Sequence, residues 1–200
     1  MKRCIKNYKS LSLLLFIILI LISTFSITIG SVSLKNLDVW KIIINKFFDY
    51  NFFNVTWEES SEIIVWTLRA PRIVTAILAG ASLSLVGILM QALTKNPLAS
   101  PYILGISSGA STGAVLVILI FSGSYIFVSI GAFILGTLTA FLVFYFANSN
   151  GFSSTKLVLV GAAISAIFSG LTSLIIAITP NERALRSALF WMSGSLAGST

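Results

Sequence analysis

The feature that most constrains this fold is a series of long apolar stretches without charge. Residues 10–34, 73–94 and 157–181 contain no Asp, Glu, Lys or Arg. A helix crosses the hydrocarbon core of a bilayer with about 20 apolar residues, and backbone groups in lipid must find partners within their own segment. Because hydrophobic residues make up 56% of the chain and charged residues 10%, the polar surface is too small to keep it in water. The sequence therefore predicts membrane-spanning helices.

The lengths of the stretches predict the number of spans. Residues 96–155 also carry no charge, and they are long enough for two crossings that fold back at Ser122-Gly123-Ser124. The predicted fold class is an all-α polytopic membrane protein, a transmembrane helical bundle in which residues 10–200 belong to one domain. We expect five spans, near residues 10–32, 71–93, 102–121, 126–148 and 157–179.

A basic N-terminus sets the predicted orientation. Residues 1–9 are rich in Lys and Arg, which favours the cytoplasmic side. The apolar run that follows is longer than the roughly 7–15 residues of a signal peptide, so we expect it to be retained as a span. Lys95 and Lys156 then lie in cytoplasmic loops and residues 33–68 lie outside. Lys and Arg divide almost evenly between the two sides, so the N-terminal cluster carries this prediction.

Two short helices are predicted outside the membrane, near residues 38–48 and 182–192. In the first, apolar side chains recur at helical spacing opposite polar ones, which predicts an amphipathic helix on the membrane surface. An aromatic-anchored loop is the alternative. The apolar face comprises Trp40, Ile43, Ile44, Phe47 and Phe48, and the polar face comprises Asp38, Lys41, Asn45 and Asp49. In the second helix, Glu182 and Arg186 are spaced for an ion pair.

Small residues indicate which spans pack closely. Glycine and serine let helix backbones approach in lipid, where packing drives association. The first span is rich in Leu and Ile all round and has no comparable ridge of small residues, so we expect it at the periphery. The glycines assigned to helix packing are Gly80, Gly105, Gly109, Gly113, Gly136 and Gly161.

The chain lacks the groups that most chemistries need. The interiors of the predicted spans carry no charge, which argues against proton or sodium coupling. No GxxxxGK[ST] pattern occurs, and neither a nucleophile–base pair nor a set of metal ligands is present, since there is no His and one Cys. The basic residues flank apolar runs, a pattern of membrane loops and not of nucleic-acid binding. We therefore expect no enzyme activity, cofactor or metal, and instead a conduit driven by another protein.

Several motifs resemble one transporter family. The chain contains LRAPR at residues 68–72, MQALTKNPLASP at 90–101 and LGISSGA at 104–110, with further similarity at 80–83, 157–163 and 190–198. In this order and spacing they resemble the permease subunits of ABC importers for iron-siderophores, haem and vitamin B12. The resemblance covers about two thirds of the chain.

This resemblance implies a set of partners and a docking residue. Members pair two permease subunits, as a homodimer or heterodimer, with two cytoplasmic ATPases and an extracytoplasmic substrate-binding protein in the cell membrane. Arg69, in the RxPR motif, corresponds to a residue that pairs with a carboxylate of the binding protein. The alternative is that Arg69 anchors the helix at the membrane interface. Siderophore-bound iron is the expected substrate, ahead of haem and cobalamin.

The resemblance also implies gate and pathway residues. Asn96 and Leu98 correspond to one cytoplasmic gate loop, and Ser154 and Thr155 to the other. The fifth span lines the pathway in the family, so its polar residues are predicted to face the substrate, unless their hydroxyls bond their own helix. These residues are Ser165, Ser169 and Thr172.

The chain departs from the family in its extent. Family members have about ten spans, and the predicted fifth ends well before Thr200. The helices that couple to the ATPase are expected after the sixth span. We therefore expect an incomplete permease that does not transport alone. The alternative is a membrane remnant without transport function, and continuation of the reading frame distinguishes the two.

Overall fold

A computed structural model describes residues 8–121, 125–149, 151 and 153–196 of the chain. All regular secondary structure among these residues is helical, which confirms the predicted all-α fold. The elements are α1 (Tyr8–Thr28), α2 (Asn36–Phe48), α3 (Glu59–Ile63), a π-helix (Ile64–Arg69), α4 (Ala70–Thr94), a 3₁₀ helix (Pro101–Leu104), α5 (Ile106–Phe121), α6 (Tyr125–Asn148), α7 (Ser154–Ala177) and α8 (Glu182–Met192).

Four helices of the described chain are long and apolar enough to cross a bilayer: Tyr8–Thr28, Glu59–Thr94, Ile126–Asn148 and Ser154–Ala177. The segment predicted as a span at 102–121 differs. Gly105 adopts a left-handed φ of 66° and separates the 3₁₀ helix from α5, which has 16 residues. This helix is shorter than the roughly 20 residues of a full crossing. Pro101 and Gly105 divide the segment because one starts a helical turn and the other ends it.

The second span begins earlier than predicted and contains a π-helix. Residues Glu59–Thr94 form one helix of 36 residues, in which Ala70 N–H bonds to the carbonyl of Val65. Pro71 follows immediately, and it has no N–H to donate and a ring that crowds the preceding turn. Local π geometry accommodates a proline inside a membrane helix. The helix therefore continues through the RxPR motif.

The described residues fall into two compact units. The N-terminal unit comprises residues up to Ala79 together with Leu196, and the C-terminal unit comprises Gly80–Ser195. In the N-terminal unit, α1 has one buried residue, Ile27, which packs with Val39, Ile42 and Val65.

The packing face of α2 differs from the face assigned from its sequence. Val39, Ile42 and Asn45 are buried, whereas Trp40 and Phe47 are exposed. The sequence pattern predicts Asn45 on the polar face of the helix, but its side chain accepts a hydrogen bond from the Phe53 N–H at 3.1 Å and donates one to the Phe53 carbonyl at 2.8 Å. Satisfying a loop backbone in this way makes a buried amide tolerable.

In the C-terminal unit, α5 packs between α6 and α7. Gly113 meets Gly131 of α6, and Gly109 meets Thr139, so α5 and α6 are antiparallel. Gly105 lies by Ser165 of α7 and Thr112 by Thr172, so α5 and α7 run in the same direction.

Helix α8 packs on the C-terminal half of α5. Its buried residues Ala184 and Ala188 join a cluster with Ala114, Val115 and Ile118. Asn181 caps its N-terminus by accepting hydrogen bonds from the N–H groups of Arg183 and Ala184.

Candidate functional site

The candidate site is the end of the C-terminal unit at which three helix termini and the 3₁₀ helix meet. Because α5 and α6 are antiparallel and α5 and α7 are parallel, the start of α5, the end of α6 and the start of α7 share this end. The 3₁₀ helix packs there against α7. The loop at residues 95–100 and the described residues 149, 151 and 153 therefore lie on the same side of the unit.

The loop after α4 is a compact turn that presents one apolar side chain. Lys95 ends the helix with a φ of 50°. The Asn96 side chain accepts a hydrogen bond from Leu98 N–H at 2.9 Å, and Gln91 donates to the carbonyl of Pro97 at 3.0 Å. These bonds leave Leu98 88% exposed. The turn therefore holds the two predicted gate residues in fixed positions, with Leu98 outermost.

The second predicted gate segment forms the first turn of α7. Ser153 precedes the helix in extended conformation, and its side chain makes no capping bond. Ser154 is half-buried and Thr155 is exposed. The structure thus places Ser154 and Thr155 at the same end of the unit as Asn96 and Leu98, with Thr155 accessible.

Close backbone contacts hold the 3₁₀ helix against α7. A Cβ at Gly161 would overlap the carbonyl of Ile103, and one at Gly105 would lie 2.5 Å from Ser165 Oγ. Ser165 in turn donates to the carbonyl of Gly161 at 2.7 Å. The alternative considered for Ser165, that its hydroxyl bonds its own helix, is the arrangement observed. These two glycines fix where the loop meets α7.

A buried pair of threonines links α5 to α7. The hydroxyls of Thr112 and Thr172 lie 2.7 Å apart. Thr172 Oγ1 donates to the carbonyl of Phe168 at 2.9 Å, and Thr112 Oγ1 lies 3.0 Å from the same carbonyl. Thr172, predicted to face the substrate, is 4% exposed, so in this structure it packs between helices and does not line open space.

The exposed face of α7 is built from small residues. Ser169 is exposed, and Ala162, Ala166, Ser173 and Ala177 fall on the same helical face and are exposed as well. A Cβ at Gly170, next to Ser169, would meet no described atom within 4 Å. Of the three predicted pathway residues, Ser169 is therefore the one that the structure places on an open surface.

The remaining packing glycines divide in two groups. Gly109, Gly113 and Gly136 all face a neighbouring helix within the unit, and a Cβ at Gly136 would lie 3.4 Å from Ala110 Cβ. A Cβ at Gly80 would meet no described atom within 4 Å. A packing role for Gly80 has no partner among the described residues and stays a prediction.

Arg69, the predicted docking residue, is bonded inside the N-terminal unit. Its guanidinium donates to the carbonyls of Ile27, Thr28 and Val32 at 2.9, 3.1 and 2.6 Å, and the residue is 9% exposed. The carbonyls at the end of a helix have no intrahelical partners and carry a partial negative charge. Arg69 therefore caps α1, a role that neither of the interpretations from sequence included.

Arg72 is the more accessible of the two arginines. It is exposed and donates from Nε to the carbonyl of Leu196 at 3.2 Å. Arg69 and Arg72 both line an open cavity of about 460 Å³ in the N-terminal unit. Docking at Arg69 stays a prediction, and Arg72 presents the guanidinium with fewer internal bonds.

Sequence reasoning missed Thr112, Gly30 and Asn45 as structural residues. Thr112 lies four residues from Ser108 in a small-residue stretch, which signals packing but not which helix it meets. Gly30 lies against the Arg69 guanidinium, and no local pattern marks that contact because the two residues are far apart in sequence.

Comparisons with known proteins place the chain among permeases. The model of the FecCD transport family matches residues 15–200. The chain belongs to the FecCD transport family. This FecCD family member is 34% identical to the Fe(3+)-citrate import system permease protein YfmD of Bacillus subtilis over 97% of its length and 56% of the relative's. It is 39% identical to the cobalamin import system permease protein BtuC of Halobacterium salinarum over 70% of its length and 38% of the relative's.

A solved structure agrees with the family. A metal-chelate type ABC transporter in an inward-facing conformation matches 96% of this chain and 56% of the other, with a TM-score of 0.75 and 30% identity. The FecCD chain spans about half the length of these proteins. It is a multi-pass membrane protein of a permease family and not an enzyme, and these similarities do not favour the alternative of a remnant without function.

Proposed function

We propose that the chain forms the first part of a permease subunit that carries an iron chelate across the cytoplasmic membrane. The observation that carries this proposal is the arrangement of α7. Its exposed small-residue face runs from Ala162 to Ala177, and the same side of the helix continues through Leu159 to Thr155, at the end of the C-terminal unit where Leu98 is also exposed. Small side chains leave room for a bulky solute, and the Ser169 and Ser173 hydroxyls supply weak polar contacts without charge.

The driving force in this proposal comes from partner proteins. The chain has no phosphate-binding motif, so a pair of cytoplasmic ATPases would supply the energy, as in ABC importers. An external binding protein would deliver the chelate, and a second permease subunit, identical or homologous, would complete the pathway. With the N-terminus in the cytoplasm, Asn96, Leu98, Ser154 and Thr155 form the cytoplasmic gate.

The substrate proposed is a ferric siderophore. Relatives of this chain are named for Fe(3+)-citrate, iron uptake and achromobactin transport, and others for cobalamin and molybdate. Iron chelates and cobalamin are bulky, which suits a wall of the small residues Ala, Gly and Ser. Discrimination among them would lie mainly in the binding protein.

Uptake by cells tests the proposal. A strain lacking the full-length gene is supplied with labelled ferric siderophore, haem or cobalamin, with and without the gene restored. Restored, energy-dependent uptake of the ferric siderophore alone supports the proposal. Restored uptake of another substrate alone corrects the substrate, and no difference for any substrate refutes transport.

A matched pair of variants tests the pathway wall. Ser169→Phe places a large ring on the small-residue face of α7 and should reduce uptake strongly, whereas Ile167→Phe alters an exposed residue on another side of the same helix and should leave uptake near the normal level. Equal uptake by the two variants, at equal amounts in the membrane, would contradict the proposed pathway.

A further inference from the structure

Helix α2 has an apolar face that the rest of the N-terminal unit leaves uncovered. Leu37, Phe47 and Phe48 are 75%, 72% and 62% exposed, and Trp40 is 38% exposed. At 3.6 residues per turn these side chains lie opposite Val39 and Ile42, which pack into the unit. The helix therefore has apolar residues on both its inner and its outer side.

Of the two lysines near the middle and end of α2, Lys46 lies on the inner side and forms an ion pair with Glu62 at 2.7 Å. Lys41 lies at the edge of the outer face, one turn after Leu37, and its ammonium approaches Asp38 at 3.9 Å. A lysine at such an edge can keep its hydrocarbon stem among apolar side chains while its ammonium reaches polar surroundings. Exposure of this face to water would cost about 25 cal/mol for each Å² of apolar surface. This distribution of apolar and charged residues suits a face that contacts neither bulk water nor the rest of the unit.

Aromatic residues extend this face beyond the end of α2. Asp49 has a φ of 49° and turns the chain, which brings Phe52 to 5.7 Å from the ring of Phe48 and Tyr50 to 4.9 Å from Phe52. Both Tyr50 and Phe52 stay more than half exposed. The outer face and this turn together form an aromatic patch comprising Leu37, Trp40, Phe47, Phe48, Tyr50 and Phe52.

The aromatic patch is continuous with the lipid-facing side of α1. An open groove is lined by Leu21, Ile22 and Phe25 of α1 together with Asn36 and Trp40 of α2. Residues 29–35 join the two helices, a length that reaches about 25 Å at most. Helix α1 is exposed along most of a membrane-spanning length. Because the groove joins α1 to Trp40, the lipid-facing surface of α1 continues into the aromatic patch.

We propose that α2 and its following turn are an interfacial anchor whose partner is phospholipid. The aromatic patch lies in the boundary between headgroups and acyl chains of the leaflet at which α1 ends. Tyr and Trp prefer this zone because their rings are apolar and their tips polar, and amphipathic helices enter it to a depth of about 5–10 Å. The anchor is tied to the rest of the unit through Asn45–Phe53 and Lys46–Glu62. The inference does not depend on the transported substrate.

Spin labels on α2 and at the start of α3 test the anchor. The full-length protein, with native cysteines replaced, carries Phe48→Cys or the control Glu59→Cys, at an exposed position that begins α3, and is reconstituted in vesicles of phosphatidylethanolamine and phosphatidylglycerol. Collision with dissolved oxygen reports lipid, and collision with a water-soluble nickel chelate reports water. At residue 48 oxygen should relax the label more than the nickel chelate does, and at residue 59 the order should reverse.

Two results would overturn the anchor. Greater nickel accessibility at residue 48 would show that the patch faces water. A label at 48 shielded from both reagents, with a short label-to-label distance between copies, would show that a second copy covers it. Trp40 gives an independent measurement: with the other tryptophans changed to Phe, brominated lipids should quench its emission, and unchanged emission would contradict the proposal without any label.

Discussion

Arg69 and Gly30 fit against each other across the end of α1. A Cβ at residue 30 would lie 2.5 Å from Nη2 of Arg69, the same nitrogen that donates to the Val32 carbonyl at 2.6 Å. The missing side chain leaves the space that the guanidinium occupies while it caps α1. The RxPR motif of this chain therefore contains a residue that organises the N-terminal unit.

The two arginines of the motif should differ in their effect on stability. Arg69→Ala removes three hydrogen bonds from the charged guanidinium to carbonyls. A hydrogen bond with a charged donor contributes about 1.5–3 kcal/mol at most. Allowing for water that enters, we expect a loss of about 2 kcal/mol, whereas Arg72→Ala should change stability little. Thermal unfolding of the full-length protein in detergent measures both. Binding-protein affinity of the same variants separates the roles: an Arg69→Ala protein with normal melting and weakened docking would support docking over capping.

Gly113 should be far less tolerant of substitution than Gly80. A Cβ at Gly113 overlaps the backbone of Gly131 on α6, whereas one at Gly80 enters open space. Gly113→Ala should cost about 1–3 kcal/mol because two packed helices must separate, and Gly80→Ala should be neutral within the chain. Unfolding in graded SDS compares the two. An equal loss in both would show that Gly80 packs against a partner outside the described residues.

The Thr112–Thr172 pair should show a measurable but modest coupling. Hydrogen bonds between membrane helices average about 0.6 kcal/mol and reach about 1.7 kcal/mol. A double-mutant cycle with Thr112→Val and Thr172→Val should give a coupling in this range, since Val keeps the shape and removes the hydroxyl. Additive effects of the two substitutions would mean that the hydroxyls bond only to their own helices.

The Lys46–Glu62 pair should hold α2 in place. Lys46→Glu should loosen the helix by placing two carboxylates together, and the double exchange Lys46→Glu with Glu62→Lys should restore it. Hydrogen exchange of the α2 amides measures this opening. A hydrogen bond to Glu62 raises the pKa of Lys46 above its ordinary value of 10.5. Between neutral pH and that value Lys46 therefore stays charged, and on raising the pH its contribution is lost only as the pH passes through the raised pKa. Increased opening of α2 as the pH is raised within the neutral range, measured by amide exchange, would contradict this pH dependence.

Structural features that depend on residues close together in the sequence could be predicted, and features that depend on tertiary contacts could not. The apolar lengths and the helix period predicted the helices, and the Asn96–Pro97–Leu98 turn follows from residues a few positions apart. The break at Gly105 was missed because a glycine in an apolar stretch gives the same pattern whether it packs or ends a helix. The burial of Asn45 depends on Phe53 and on the rest of the unit. The hydrophobic period of α2 carries no information about these contacts.

The candidate site was predicted less completely for the same reason. The hydrophobic period of α7 does not say which side meets α5, so Ser165, Ser169 and Thr172 were grouped as one set. Their separation into a half-buried, an exposed and a buried residue depends on Gly105 and Thr112 in other helices. Arg69 was assigned from a motif, and its bonds to the end of α1 depend on tertiary contacts alone.

Labelling of two loop positions tests the central claim most directly. In the proposed topology, residues 95 and 156 lie at the cytoplasmic ends of membrane-spanning helices. In intact cells, Lys95→Cys and Lys156→Cys in the otherwise cysteine-free full-length protein should resist a membrane-impermeant maleimide and react after the membrane is permeabilised, whereas Glu59→Cys, at an exposed position of the outer segment, should react in intact cells. Labelling of residues 95 and 156 from outside would contradict the account.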